Sequence, residues 1–147
     1  VATAGLIEIM DAMASQIEAA VEGDYDVQVF AGILWNPTPP TIDIYPGGLS
    51  RNGATASFDE ISGGYVFTVR ARVLVADIDA GQRLLWRFMD DTDSMSIAGA
   101  LLTDPTLNGY ASSLTVRDIG GAIPYPTGQD GELLGFSFTC EVIPGVS

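Results

Sequence analysis

The run Gly64–Ala76 alternates along its whole length. Tyr65, Phe67, Val69, Ala71, Val73 and Val75 fall on one side, and Val66, Thr68, Arg70, Arg72 and Leu74 on the other. A period of two is the signature of a strand, and a run this regular constrains the chain to build a sheet with one face turned to a core. Arg70 and Arg72 share the second face, which is therefore expected to be half-exposed, or covered by a partner's carboxylates. A second alternating run closes the chain. In Leu133–Val142, Leu134, Phe136, Phe138, Cys140 and Val142 oppose Gly135, Ser137, Thr139 and Glu141.

The apolar faces of these strands need cover, and three segments have helical spacing. In Thr3–Glu22, Leu6, Met10, Met13 or Ala14, Ile17 and Val21 recur on one stripe, with Thr3 as the expected N-cap and Gly23 as the stop. A second helix is expected to begin near Asp77 or Asp79, where acidic residues suit the positive end of the helix dipole. It would bury Leu84, Leu85, Phe88 and Met89. A third, shorter helix is expected from Ser96 to about Leu102. Shorter strands are expected at Val27–Trp35, Thr41–Tyr45 and Tyr110–Val116, separated by Asn36-Pro37-Thr38-Pro39-Pro40 and by the Asn108-Gly109 turn. Residues Leu49–Gly63 and Ile119–Gly131 are rich in small residues, glycine or proline and predict long loops or arms, near 46–63 and 119–132. Strand runs broken by helices, with no linker that would split the chain, predict one α+β domain over residues 1–147. Its sheet would be mostly antiparallel, with an N-terminal helix and one or two central helices packed on it.

Composition then limits chemistry. The 147 residues include no lysine and no histidine, and six arginines face nineteen Asp and Glu, for a formal net charge of −13. No imidazole base, Ser-His-Asp triad, histidine metal ligand, P-loop lysine or Schiff base can be built from this chain. Phosphate backbones would be repelled by the average surface, so nucleic-acid binding is not expected. Charged residues make up only 17%, against about 25% in typical domains, and the uncharged surface this leaves suits burial against copies or partners. The lone Cys140 lies in an apolar run and reads as a buried small hydrophobe. The N-terminus lacks a basic region, and no window reaches about 18 uninterrupted apolar residues, so neither secretion nor membrane spanning is expected.

The remaining candidates for chemistry are weak. Asp90-Asp91-Thr92-Asp93 lacks the spacing and distal glutamate of a calcium loop and reads as a solvated helix end. Asp24 with Asp26, and Asp59 with Glu60, are conceivable acid/base pairs, but nothing fixes their separation. The pairs Gly47-Gly48, Gly63-Gly64 and Gly120-Gly121 flank strands and match no phosphate-cradling motif. Neither a catalytic residue, a metal ligand nor a cofactor site is expected. Trp86, beside Leu85, is expected in the core or at a subunit contact, and Trp35 ahead of the prolines is a candidate interface anchor. Arg83 and Arg87 lie four apart on one helix face, as Arg70 and Arg72 share a strand face, and such clusters are expected to pair with carboxylates within or between subunits. With Arg51, Asn52, Phe58 and Tyr125 on the arms, these complete the candidate interface residues.

The order of elements resembles one known family. An N-terminal helix leads to a strand ending in Ile42-Asp43-Ile44-Tyr45-Pro46-Gly47; the strand Gly64–Ala76 precedes a helix and a Leu107-Asn108-Gly109-Tyr110 turn. The last strand follows Gly131-Glu132-Leu133-Leu134-Gly135-Phe136-Ser137-Phe138-Thr139. This is similar to the tail terminator proteins (tail completion, gpU-like minor tail proteins) of long-tailed bacteriophages. The resemblance implies a virion protein, assembled in the bacterial host cytoplasm, that forms a hexameric ring on the tail tube and stops its polymerisation. Such a ring joins tube protein below to the head connector above, passes the genome through its channel without binding it, and performs no catalysis. The two arms would then grip neighbouring subunits, and the carboxylates would keep a channel wall from holding DNA. Other readings stay open: a connector, stopper or tube protein of the same particle, a non-viral acidic binding module, or a carboxylate enzyme.

Overall fold

A computed structural model of the chain describes residues 4–21, 27–33, 40–47, 58–59, 64–74, 78–117, 119–126 and 132–145. In chain order the elements are α1 (Leu6–Val21), β1 (Gln28–Ala31), β2 (Thr41–Pro46), β3 (Phe58–Asp59), β4 (Gly64–Leu74), α2 (Ile78–Met89), α3 (Ile97–Thr103), β5 (Ala111–Arg117), β6 (Ile123–Pro126) and β7 (Glu132–Pro144). The fold is α+β. The seven strands of the described residues form one sheet, ordered β1-β2-β4-β7-β5, with β3 added beside β4 and β6 beside β7.

The two alternating runs pair with each other. β4 and β7 form an antiparallel ladder from Tyr65 opposite Val142 to Leu74 opposite Leu133. That register sets Phe67, Val69 and Ala71 against Cys140, Phe138 and Phe136 on one face, with Ile42 and Ile44 beside them on β2. A slip of one residue would turn every one of these side chains to the opposite face, so burial itself holds the register. The helices cover this face among the described residues: α1 against β1 and β2, α2 against β4 and β7, and α3 against α1, α2 and β5. Cys140 is fully buried in the resulting core, and desolvation pushes its thiol far above the usual range, which leaves no reactive thiolate.

Local devices secure the ends of α1 and α3. The Gly5 carbonyl accepts from the Ile9 amide at 3.1 Å, while the Glu8 carboxylate accepts from the Gly5 amide at 3.3 Å, the reciprocal half of a capping box. The expected cap Thr3 and stop Gly23 lie outside the described residues. Met10, Met13, Ile17 and Val21 are buried as their spacing predicts; Ile9 joins them, and Leu6 is only partly buried. α2 buries Leu84, Leu85 and Phe88. Ser96 caps α3, its hydroxyl accepting from the Gly99 amide at 3.0 Å. At the other end of α3, the Gln16 amide donates to the carbonyls of Ala100, Leu101 and Asp104 at 2.8, 3.0 and 2.9 Å. A short helix leaves these last carbonyls without internal partners, and a side chain from α1 supplies the donors.

The turn after α3 is tied by one carboxylate. Leu107, Asn108 and Gly109 take φ of 50°, 57° and 93° in succession. Left-handed backbone is unfavourable for a bulky residue such as Leu107, and burial of its side chain offsets the cost. The Asp104 carboxylate accepts the Thr106 hydroxyl at 2.5 Å and the Asn108 amide at 2.9 Å, and these bonds hold its pKa below the ordinary carboxylate range. A depressed folded-state pKa contributes stability that is present above the unfolded pKa and lost as pH falls through the folded one. The melting temperature should therefore be higher for the wild type than for Asp104→Asn at about pH 7, and the gap should close as pH falls through the lowered folded-state value. A gap that persists unchanged into acid would remove the carboxylate from this role.

Three expectations of where strands lie need correction. β1 is shorter than Val27–Trp35 among the described residues, because the Gly32 backbone departs at φ 148° and its amide donates to Ile44 at 2.7 Å. β1 also runs parallel to β2, the one parallel pair in the sheet among the described residues. The span expected to be a loop at 119–132 contains β6, and the arm at 46–63 contains β3. β6 carries Pro124 and Pro126, which lower strand propensity, yet proline is tolerated on an edge strand where the missing amide would have faced away from the ladder.

Candidate functional site

The sheet face away from the helices is polar, and it is more closed than its sequence predicts. Thr41, Asp43, Thr68, Arg72, Thr139 and Glu141 are all buried there. The β2/β4 register places Asp43 directly opposite Arg70, with Arg72 one same-face position along β4. Arg70 grips Asp43 with a fork, Nε to Oδ1 at 3.1 Å and Nη2 to Oδ2 at 2.6 Å, and Arg72 Nη2 reaches Oδ2 at 3.2 Å. The Arg70 guanidinium also stands 5.2 Å from the centre of the Tyr45 ring, within cation–π range. On the next strands Arg117 Nε lies 3.3 Å from Glu141. The expectation of a half-exposed arginine face is thus corrected: the Arg70 and Arg72 side chains are 16% and 7% exposed, and the carboxylate beside them belongs to the same chain.

The outer side of α2 forms a second cluster. Leu84, Leu85 and Phe88 define the buried side, so Trp86, two residues from Leu84 and from Phe88, falls on the opposite side at 100° per residue. It is 45% exposed, so of its two expected placements, the core or a subunit contact, the core is excluded. Arg83 is exposed beside it, and Arg87 Nε bonds the Asp93 carboxylate at 3.1 Å. That bond and the Met95 amide at 2.9 Å together hold the Asp93 carboxyl below its ordinary range. Arg83, Trp86, Arg87, Asp90 and Asp93 line an open groove of ≈ 360 Å³.

The other expected residues are dispersed. Trp35, Arg51 and Asn52 lie outside the described residues, as do Asp24, Asp26 and Glu60. Phe58 stands on β3 opposite Tyr65, and Tyr125 on β6 opposite Leu133. Asp90 turns onto the Thr92 amide and hydroxyl at 2.9 and 2.7 Å, the geometry of a local turn. Among the described residues no group of three or more Cys, Asp or Glu converges to hold a metal ion, and no helix is long and apolar enough to cross a membrane. Gly64 has a close-packing role, since a Cβ there would lie 2.6 Å from the Val142 carbonyl oxygen. Asp43 and Glu141 escape a reading of the sequence because their partners sit on other strands. The one available signal is that Asp43 occupies an alternate position within Thr41–Tyr45.

These surfaces belong to an α+β domain whose helices cover one face of a mixed sheet and whose polar face is closed by internal ion pairs. A scan against protein-family models finds no match, and a search of the curated proteins finds none either.

Proposed function

We propose that this chain is a structural virion protein of the tail terminator kind, a subunit of a hexameric ring that ends a phage tail tube and joins it to the head connector. The observation that carries the reading is where the charge goes. Arg70, Arg72, Arg87 and Arg117 are each held by a carboxylate of their own chain, whereas Glu8, Asp11, Glu18, Asp90 and Asp91 are exposed. Among the described residues the excess of acidic charge is therefore expressed outward, and repeated around an axis it contributes to an acidic ring. A conduit for DNA works best when its wall repels phosphate and offers no cations whose pairing would release counterions and hold the strand. The absence of lysine and histidine from the sequence suits assembly over catalysis.

Electron microscopy and native mass measurement of the purified chain and of tail particles test this reading. The expected result is a sixfold ring, present as one ring at the head-proximal end of each tail, with carboxylates facing the channel. Copies spread along the tube, or a ring within the connector, would move the chain to the neighbouring roles of tube or neck protein. A stable monomer absent from any particle would overturn the reading altogether, and a basic channel wall would remove the proposed use of the charge.

A further inference from the structure

We infer that the groove between α1 and the Leu107–Tyr110 turn docks a basic segment of a different protein, which seats one large apolar side chain there. The inference goes beyond the ring reading and does not depend on it, because groove and charge belong to a single subunit. Ala12, Ser15, Gln16, Leu107, Asn108 and Tyr110 line an open groove of ≈ 320 Å³. Small side chains at Ala12 and Ser15 keep the helix wall low, Leu107 supplies a buried apolar floor, and Tyr110 stands beside it 39% exposed. Both walls are fixed before anything binds. The Gln16 amide is committed to three carbonyls at the end of α3. In the turn, the Asn108 amide donates to Asp104 at 2.9 Å, the Tyr110 amide to Leu107 at 3.2 Å, and the Gly145 amide to Tyr110 at 2.7 Å. A preformed groove loses little entropy on docking. Its volume lies at the small end of the roughly 300–1,000 Å³ of ligand clefts, which suits one anchoring side chain.

Charge defines the occupant. No lysine or arginine occurs in residues 1–50 or 88–116, the stretches that supply both walls. At 100° per residue, Glu8, Asp11 and Glu18 all fall within about 60° of the groove-lining Ser15, and all three are exposed. The helix wall therefore presents three carboxylates beside an apolar groove. Its complement is an aromatic or aliphatic anchor flanked by lysine or arginine. Among the described residues a second copy does not supply it. Arg70, Arg72, Arg87 and Arg117 are held by carboxylates of their own chain, and Arg83 is engaged as well. The anchor would carry most of the affinity, and the flanking charges would set on-rate and orientation.

Isothermal titration calorimetry of the full chain with the end-blocked peptide Arg-Arg-Trp-Arg-Arg tests the site, with Arg-Arg-Gly-Arg-Arg as the probe that lacks the anchor. Salt of about 0.1 M limits attraction between charges more than about 10 Å apart, and circular dichroism confirms the fold of each variant. The tryptophan peptide is expected to bind at one site, about 10-fold or more tighter than the glycine peptide. Ser15→Leu, which fills the groove from an exposed helix position, should weaken it about 10-fold or more. Asp11→Arg should weaken it about 5-fold or more, whereas Asp91→Arg, an exposed carboxylate outside the groove, should change it less than about 2-fold. Equal binding of the two peptides, or equal loss at Asp91→Arg, would mean diffuse attraction to an acidic surface and overturns the site. Binding that survives Ser15→Leu overturns the groove as the seat, and no binding of the tryptophan peptide overturns the inference outright. None of these outcomes bears on the ring, which the microscopy and mass of particles decide.

Discussion

Asp43→Ala is expected to lower the unfolding free energy by about 3–5 kcal/mol, the usual cost of breaking a buried pair from one side. The Asp43 side chain is completely buried, and both guanidinium groups that address it are largely withdrawn from solvent. Their desolvation is sustained by the carboxylate between them, so its removal leaves two like charges on adjacent same-face positions of β4 without the anion that separates them. Coulomb repulsion and the exposed cost of desolvation then act in the same direction. For a domain of this size the loss corresponds to a fall in melting temperature of roughly 6–20 °C. Asp43→Asn, which keeps the volume and removes the charge, should recover only part of it. Urea unfolding at unchanged m-value would measure the effect, and a change under about 1 kcal/mol would show that the arginines are solvated well enough to stand without Asp43.

Gly145→Ala is expected to cost about 3 kcal/mol or more, through backbone collision at a close-packed strand end. The Gly145 amide donates to Tyr110 at 2.7 Å, and its carbonyl accepts from Ala4 at 3.0 Å, so this residue ties the end of β7 to the turn before β5 and to the approach to α1. A Cβ there would strike the Gly109 carbonyl oxygen and stand 2.9 Å from the Tyr110 carbonyl carbon and 3.0 Å from the Ala111 nitrogen. All three are backbone atoms. They belong to, or directly follow, the left-handed run at Leu107–Gly109, which has little freedom to move aside. Gly121→Ala is the control, because a Cβ at that position meets nothing within 4 Å, and its effect should stay within about 0.5 kcal/mol. Equal effects at the two glycines would mean that lost chain entropy, and not collision, governs Gly145.

How much of this was legible follows from the range of each interaction. The alternation in Gly64–Ala76 and Leu133–Val142 identifies β4 and β7, and the stripes through Met13 and Phe88 identify α1 and α2, because period and burial are local properties of consecutive residues. Ser96 and the Asn108-Gly109 turn are local in the same sense. Trp86 was also legible: Leu84, Leu85 and Phe88 already point it outward, although its place beside Leu85 kept the core among its two expected positions. β6 was obscured by Pro124 and Pro126, since edge position, which excuses a proline, exists only once the sheet is assembled.

The sequence by itself determined the three helices and the strands β2, β4, β5 and β7, the apolar side of the longest of them, and that the chain lacks lysine and histidine chemistry. Tertiary structure alone decided that β1 runs parallel to β2, that Gln16 closes the end of α3, and that Asp43 lies between Arg70 and Arg72. Those facts depend on register between strands and helices far apart in the chain. Register is set by the summed burial of the whole face, a quantity that no short window of residues contains.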